Sequence, residues 1–325
     1  MERIRARRKL PPVLRWILWA LLLQFILINI SAAFYGYKLT HFYDPLSSPP
    51  KPSATNFFAK TWHLFRGPRY FRMPVATQPD FPYDSLTLFT KDKIAISGWY
   101  ISADSTKGTV LIFHGLGGNK AQMLNCADEF HIIGYNVMMV DMRAHGNSGG
   151  HTTTIGMRES EEVKLAYDYI LKKGEKNIIL YGSSLGAVVI TKAINDYKIS
   201  PSRIILDLPF ASLHDHLRGR ARVLGFPSEP FGALVTFWAG IENGFNGFRH
   251  NTCRYAKKIQ CPVLMQYGAN DKLVLKRETE CVFSHIASVE KKLVQYENAG
   301  HEYLLRNDPA KWRLEVGNFL KVSEK

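Results

Sequence analysis

Gly182-Ser183-Ser184-Leu185-Gly186 constrains this chain more than any other segment. It follows the apolar run 177–181 and precedes the apolar run 187–194, so a strand feeds a helix through a tight turn. A serine held between glycines at such a turn takes a strained backbone that lifts its hydroxyl clear at the carboxyl end of the sheet. Bulkier side chains at the two glycine positions would clash. The helix amino terminus beneath the serine favours an oxyanion. On its own the pentapeptide also fits a glycine-rich turn with a solvated serine, so the surrounding chain has to decide.

The 325 residues fit one large α/β domain with appendages, and 46% hydrophobic content is enough for a sizeable core. The net charge of +14 does not point to nucleic acid. Six basic residues (Arg3, Arg5, Arg7, Arg8, Lys9 and Arg15) precede the first apolar run, and the others are interleaved with acids. No zinc-finger spacing, RNP-like aromatic pattern or basic helix repeat accompanies them. A surface tolerant of anionic phospholipid accounts for the excess. The cysteines Cys126, Cys253, Cys261 and Cys281 form no C-x-x-C, which argues against a zinc ribbon or redox motif. Buried free thiols are the preferred reading, with a Cys253–Cys261 bridge the alternative in an oxidising compartment.

Residues 16–37 carry no charge and suffice to cross a bilayer as a helix. Trp16, Trp19, Tyr35 and Tyr37 lie near its ends, where amphipathic rings prefer the interface. The basic residues before the span outweigh Lys38 and Lys51 after it. The expected topology therefore has residues 1–15 as a cytoplasmic tail and the bulk of the chain on the extracytoplasmic side. A signal peptide cleaved near Ser31-Ala32-Ala33 is the rival, although the apolar core is long for one. The proline-punctuated segment 38–80 reads as a stalk, with a short helix at 55–66 packed on the domain or resting on lipid.

From residue 81 onward strands and helices alternate. Expected strands cover 86–90 and 96–102 (an antiparallel pair), 109–113, 136–141, 177–181, 204–208, 262–267 and 293–296. Expected helices cover 119–133, 158–173, 187–194, 276–287 and 309–320. Continuously apolar strands between helices imply a mostly parallel sheet covered on both faces, with its ligand crevice beyond the strand carboxyl ends. The chemistry-bearing motifs all fall at such ends.

A serine nucleophile needs a base, and the base an orienting acid. His301, in a loop after the last strand, is the expected base, and Asp271, after the strand at 262–267, the expected acid. Asp207 is the alternative acid, and Glu302, a neighbour of the histidine, fits less well. The segment Phe113-His114-Gly115-Leu116-Gly117-Gly118 supplies an oxyanion loop, with the backbone amides of Leu116 and Leu185 as donors. His114 reads as structural, Asp141 and Arg143 as braces of neighbouring loops, and Ser148 as scaffold.

HGLGG, D-x-R-x-H-G-x-S-x-G, G-x-S-x-G, the G-x-x-D loop and the late G-H together resemble the α/β-hydrolase superfamily, most of all its serine hydrolases of the monoacylglycerol-lipase and serine-aminopeptidase-like group. The likeness covers roughly residues 84–321, with Ala187 standing where many relatives have a glycine. It implies the triad Ser184, Asp271 and His301 and acyl ester hydrolysis with no cofactor and no metal. It also implies an α/β-hydrolase domain over 81–325, with a lid inserted at about 211–257.

Apolar stretches in that insertion, at 224–227 and 231–241, would suit either an acyl chain or ordinary packing, and His214 and His216 read as polar rim residues. Three functions remain in play. The first is a membrane-anchored hydrolase of carboxylic esters, with lipid and lysolipid acyl esters among the candidate substrates. The second is a peptidase or amidase in which Glu229 or Glu242 binds a free amino terminus. The third is a non-catalytic, membrane-tethered binding protein, which the filled catalytic positions disfavour. Small-molecule or lipid acyl esters and the membrane are the expected partners, nucleic acid is not, and the sequence leaves the oligomeric state open.

Overall fold

The computed structural model describes residues 10–44, 58, 62, 65–67, 69–225 and 227–321. The chain enters on helix α1 (Pro12–Thr40). Strands β1 (Asp84–Phe89), β2 (Ala95–Ile101) and β3 (Thr109–Phe113) follow. Next come a 3-10 turn at Lys120–Met123, α2 (Leu124–Ile132), β4 (Asn136–Val140) and α3 (Ser160–Lys172). The core then runs through β5 (Ile178–Ser183), α4 (Leu185–Tyr197) and β6 (Arg203–Asp207). After β6 the chain forms α5 (Leu213–Val223), α6 (Phe231–Glu242) and α7 (Thr252–Ala256). It closes with β7 (Val263–Gly268), α8 (Lys276–His285), β8 (Lys291–Tyr296), α9 (Leu304–Asn307) and α10 (Pro309–Lys321).

The eight strands form one sheet in the order β1-β2-β4-β3-β5-β6-β7-β8. β1–β2 and β2–β4 pair antiparallel, and every later pair is parallel. β3 to β7 are buried at every residue, as expected where both sheet faces are covered. One core layer joins Leu111, Phe113, Leu180, Leu206 and Met265 to α3 and α4 residues such as Val163, Ile170 and Val188. The other joins Ile112, Tyr181, Ile205 and Leu264 to Phe130 of α2 and Trp312 of α10. Register alternation sends neighbouring residues of one strand to opposite layers.

The strands and helices expected from residue 81 onward are all present, with ends shifted by a few residues. The first turn of the helix expected at 119–133 is 3-10, with Asn119 accepting from the Ala121 amide. The helix expected at 55–66 lies mostly outside the described residues. The cysteines require a correction. Cys253 of α7 bonds Cys281 of α8, and Cys126 and Cys261 are the free thiols. α7 and α8 pack side by side, which brings Cys253 and Cys281 together.

Helix α1 is long and apolar enough to cross a membrane by length and composition. Its first half is exposed, whereas Ala32, Gly36, Leu39 and Thr40 are buried against the domain. The partner is α6. Tyr35 meets Phe231 edge to face with ring centroids 5.0 Å apart, and the Trp238 indole N–H donates to Asn29 Oδ1 at 3.2 Å. The end of α1 and the residues just after it lie on the domain. The Phe42 amide donates to the His151 carbonyl and the Thr153 amide to the Thr40 carbonyl.

Candidate active site

Ser184 is the residue between β5 and α4, with φ 53° and ψ −109°. This is a conformation that a residue with a Cβ adopts only where the surroundings impose it. The surroundings are backbone. A Cβ on Gly182 would lie 2.4 Å from the Gly186 carbonyl carbon, and one on Gly186 would lie 2.1 Å from the Phe113 oxygen. The Ser184 amide donates to the Asp207 carbonyl at 2.7 Å, tying the elbow to the end of β6.

The structure brings the three expected side chains together. Ser184 Oγ lies 2.9 Å from His301 Nε2, and His301 Nδ1 lies 2.7 Å from Asp271 Oδ2. Asp271 is held in turn, since its Oδ1 accepts from the amides of Leu273 and Val274, both at 2.8 Å. The Asp271 side chain is almost fully buried, and His301 is partly open toward the cavity. With Oδ1 taken by two backbone donors, Oδ2 is left to accept from the imidazole, which places the proton on Nδ1 and an accepting Nε2 toward the serine.

The alternative acids are engaged elsewhere. Asp207 accepts from the Tyr181 hydroxyl at 2.7 Å and from Gln266 Nε2 at 2.8 Å, inside the sheet layer. Burial raises its pKa to about 6. Glu302 Oε1 accepts from the Gly300 amide and from Asn307 Nδ2.

The glycine loop after β3 lies against the elbow, and a Cβ on Gly115 would sit 3.7 Å from that of Ser184. Two buried imidazoles shape this loop. His114 bonds the Gly115 carbonyl through Nδ1 and accepts the Met142 amide on Nε2. His145 bonds the Arg143 carbonyl and accepts the Gly117 amide on Nε2 at 3.0 Å. Burial lowers their pKa values to about 4 and about 3, so both rings stay neutral and keep an accepting nitrogen. With the Gly117 and Gly118 amides already bonded, the Leu116 amide remains at the cavity wall. Leu185 opens α4, so its amide has no intrahelical acceptor.

Asp141 and Arg143 brace loops as expected. Asp141 accepts from Lys120 Nζ at 2.5 Å and from the Lys120 and Asn147 amides, with both ionic side chains fully buried. Arg143 pairs with Glu162 at 2.6 Å and Glu161 at 3.0 Å. Ser148 is a buried spacer that donates to the Asp141 carbonyl and accepts the Ser97 amide.

Around Ser184 and His301 lies a cavity of about 350 Å³. Leu116, Leu208, Met73 and Tyr303 give it apolar wall, and Arg220 and Arg306 stand in its lining with Glu302. A second compartment of about 590 Å³ shares His301, Arg220 and Leu273 and adds Arg222, Lys272, Val223 and Leu224.

Sequence reasoning placed His216 on the rim, and the structure corrects this. His216 is 2% exposed, lines the cavity, packs at a tilt on Phe210, and has no hydrogen-bond partner among the described residues for either ring nitrogen. Its neighbour His214 faces the other way, to Glu229 at 2.8 Å. The helical turn of α5 sends these residues to opposite sides, a signal present in the i, i+2 spacing once a helix is assumed.

Residues 104–235 match the family described as serine aminopeptidase, S33. Among curated proteins, the chain is similar to Bacillus subtilis YqkD, at 27% identity over 69% of this chain and 75% of that protein. It is similar to lysophosphatidylserine lipase ABHD12 of Danio rerio at 26% identity, over 54% of this chain and 47% of the lipase. The matched region thus spans about half the length of that lipase. Among solved structures, an esterase from Pyrococcus furiosus superposes with a TM-score of 0.65 at 25% identity, covering 78% of this chain and 98% of the esterase. With the strand order, the elbow and these likenesses in hand, the chain is an α/β-hydrolase by fold.

Proposed function

We propose that this α/β-hydrolase is a membrane-anchored serine hydrolase that cleaves lipid acyl esters. The observation that carries the reading is the unbroken relay from Ser184 Oγ to His301 Nε2 (2.9 Å) and from His301 Nδ1 to Asp271 Oδ2 (2.7 Å). In this reading Ser184 Oγ attacks the ester carbonyl carbon while His301 Nε2 takes its proton. Asp271 stabilises the imidazolium, and the amides of Leu116 and Leu185 hold the oxyanion. The C–O bond then breaks, His301 returns the proton to the leaving alcohol, and an acyl-serine remains. Water, deprotonated by His301, releases the acid.

Neither acidic anchor expected of a peptidase stands in the cavity lining, because Glu229 is paired with His214 and Arg218 and Glu242 lies against α1. Glu302, the carboxylate that does line the cavity, is bonded to the Gly300 amide and Asn307. The leaving alcohol has to sit beside His301, where the neighbouring side chains Arg220, Arg222 and Lys272 favour an alcohol that carries negative charge. The similarity to a lysophosphatidylserine lipase agrees with a lipid acyl ester.

Membrane anchoring is supported by the length and apolar composition of α1 and by the packing of its second half on α6. The Cys253–Cys281 bond fits an oxidising compartment and hence an extracytoplasmic catalytic domain. The test is hydrolysis by detergent-solubilised full-length protein of lysophosphatidyl and neutral monoacyl esters of one chain length, beside an aminoacyl anilide. Wild type is expected to cleave both esters, the anionic one faster, and Ser184→Ala to lose about 10⁴-fold or more in kcat. Turnover retained in Ser184→Ala, or anilide cleavage exceeding both esters, contradicts the reading.

A further inference from the structure

The contact between the anchor and the insertion after β6 leaves an opening that the hydrolytic reading does not use. At about 1.5 Å per residue, roughly 20 residues of α1 cross the hydrocarbon core. Counted from Trp16, next to the last basic residue of the tail, the outer half of that crossing is Ile26 to Tyr35. This is the stretch on which α6 packs. A Cβ on Gly36 would lie 3.0 Å from the Ala239 amide nitrogen, so the two helices touch backbone to backbone there. Alongside this contact runs a groove of about 660 Å³. Phe25, Ile26, Ile30 and Phe34 form one wall, and Trp238 and Glu242 the other. Beside the groove, Phe237 and Ile241 of α6 stand 47% and 59% exposed, one helical turn apart.

We propose that this groove is a lipid-binding site that takes one acyl chain of the outer leaflet and so seats α6 in the bilayer. The inference rests on the anchored reading. The occupant follows from the walls, since a groove formed partly by the lipid-facing side of a membrane helix opens to lipid tails and not to water. A polar group is placed for the other end of the lipid. Glu242 Oε2 is buried with no hydrogen-bond partner among the described residues. Burial raises the pKa of this carboxyl to about 7, so its protonated form is available as a donor to a lipid ester or hydroxyl oxygen. α6 also packs on α5, the helix that brings His216 and Arg220 to the catalytic cavity. A lipid held at α6 is therefore one helix away from Ser184.

The test uses the full-length chain with Trp16, Trp19 and Trp62 replaced by Phe, reconstituted into phosphatidylcholine vesicles with or without bromine on the acyl chains. Trp99 and Trp312 are buried in the core, so the emission lost on the further change Trp238→Phe reports Trp238. Brominated chains are expected to quench that emission at least twofold, and Ala33→Leu, which narrows the groove, to reduce the quenching. Resistance to carbonate extraction without quenching, as when a second copy of the chain fills the groove, overturns this inference and leaves the anchor intact. Release by carbonate overturns the anchor and the groove together.

Discussion

At the scale of single residues, the sequence marked Ser184 and His301 through their local motifs, but chose Asp271 over Asp207 only by its position in the chain order. The structure separates the two by surroundings. Asp271 offers Oδ2 to the imidazole and receives two amides on Oδ1, whereas Asp207 is spent on Tyr181 and Gln266. Asp271→Asn is expected to lower kcat for a p-nitrophenyl ester by about 10³–10⁴-fold with little change in melting temperature, because the amide stabilises the wrong tautomer. Asp207→Asn is expected to keep turnover within a few-fold while altering the melting temperature. Equal losses of kcat in the two variants contradict the assignment. His216 shows what a linear pattern conceals. A histidine beside Asp215 and His214 looks solvated, and only the docking of α5 turns its ring inward against Phe210.

At the scale of elements, the strands β3 to β7 were legible because continuous apolar runs between helices have few other solutions. The elbow was legible because backbone crowding leaves glycine as the only residue for its flanks. Gly186→Ala places a Cβ against the Phe113 oxygen and is expected to cost about 3 kcal/mol or more, or about 10 °C in thermal unfolding. Gly317→Ala, in open space on α10, is expected to leave the melting temperature unchanged or raise it. An unshifted Gly186→Ala melt contradicts the packing described for the turn. Two pairings were not legible. The apolar run of α6 suits a core, a lid or a helix partner equally well, and its partner lies some 200 residues earlier at Asn29 to Leu39. The Cys253–Cys281 bond depends on two helices meeting across β7, which spacing along the chain does not encode.

At the scale of the whole molecule, buried neutral histidines couple the fold to pH. Burial lowers His114 and His250 to about 4 and His145 to about 3. The unfolded chain takes up these protons near pH 6.5 and the folded chain does not. Their contribution is therefore constant above about pH 6.5 and turns against folding as pH falls toward 4. Asp207 and Glu278, raised by burial to about 6 and about 7, act in the opposite direction, because their penalty is relieved as pH drops. A single histidine is isolated by substitution. In His250→Asn the change in unfolding free energy between pH 7 and pH 5 is expected to move by about 2 kcal/mol relative to wild type, in the direction of better retained stability at pH 5. Urea titrations at the two pH values measure this, and an unmoved difference means His250 is not held neutral.

The central claim is that Ser184 carries the acyl group through the His301–Asp271 relay. It is tested most directly by acid-quenching the full-length protein during turnover of a p-nitrophenyl acyl ester and mapping the adduct by peptide mass spectrometry. The account predicts an acyl group on Ser184 in wild type and none in His301→Ala. An adduct on another residue, or steady turnover with Ser184 never acylated, would contradict it.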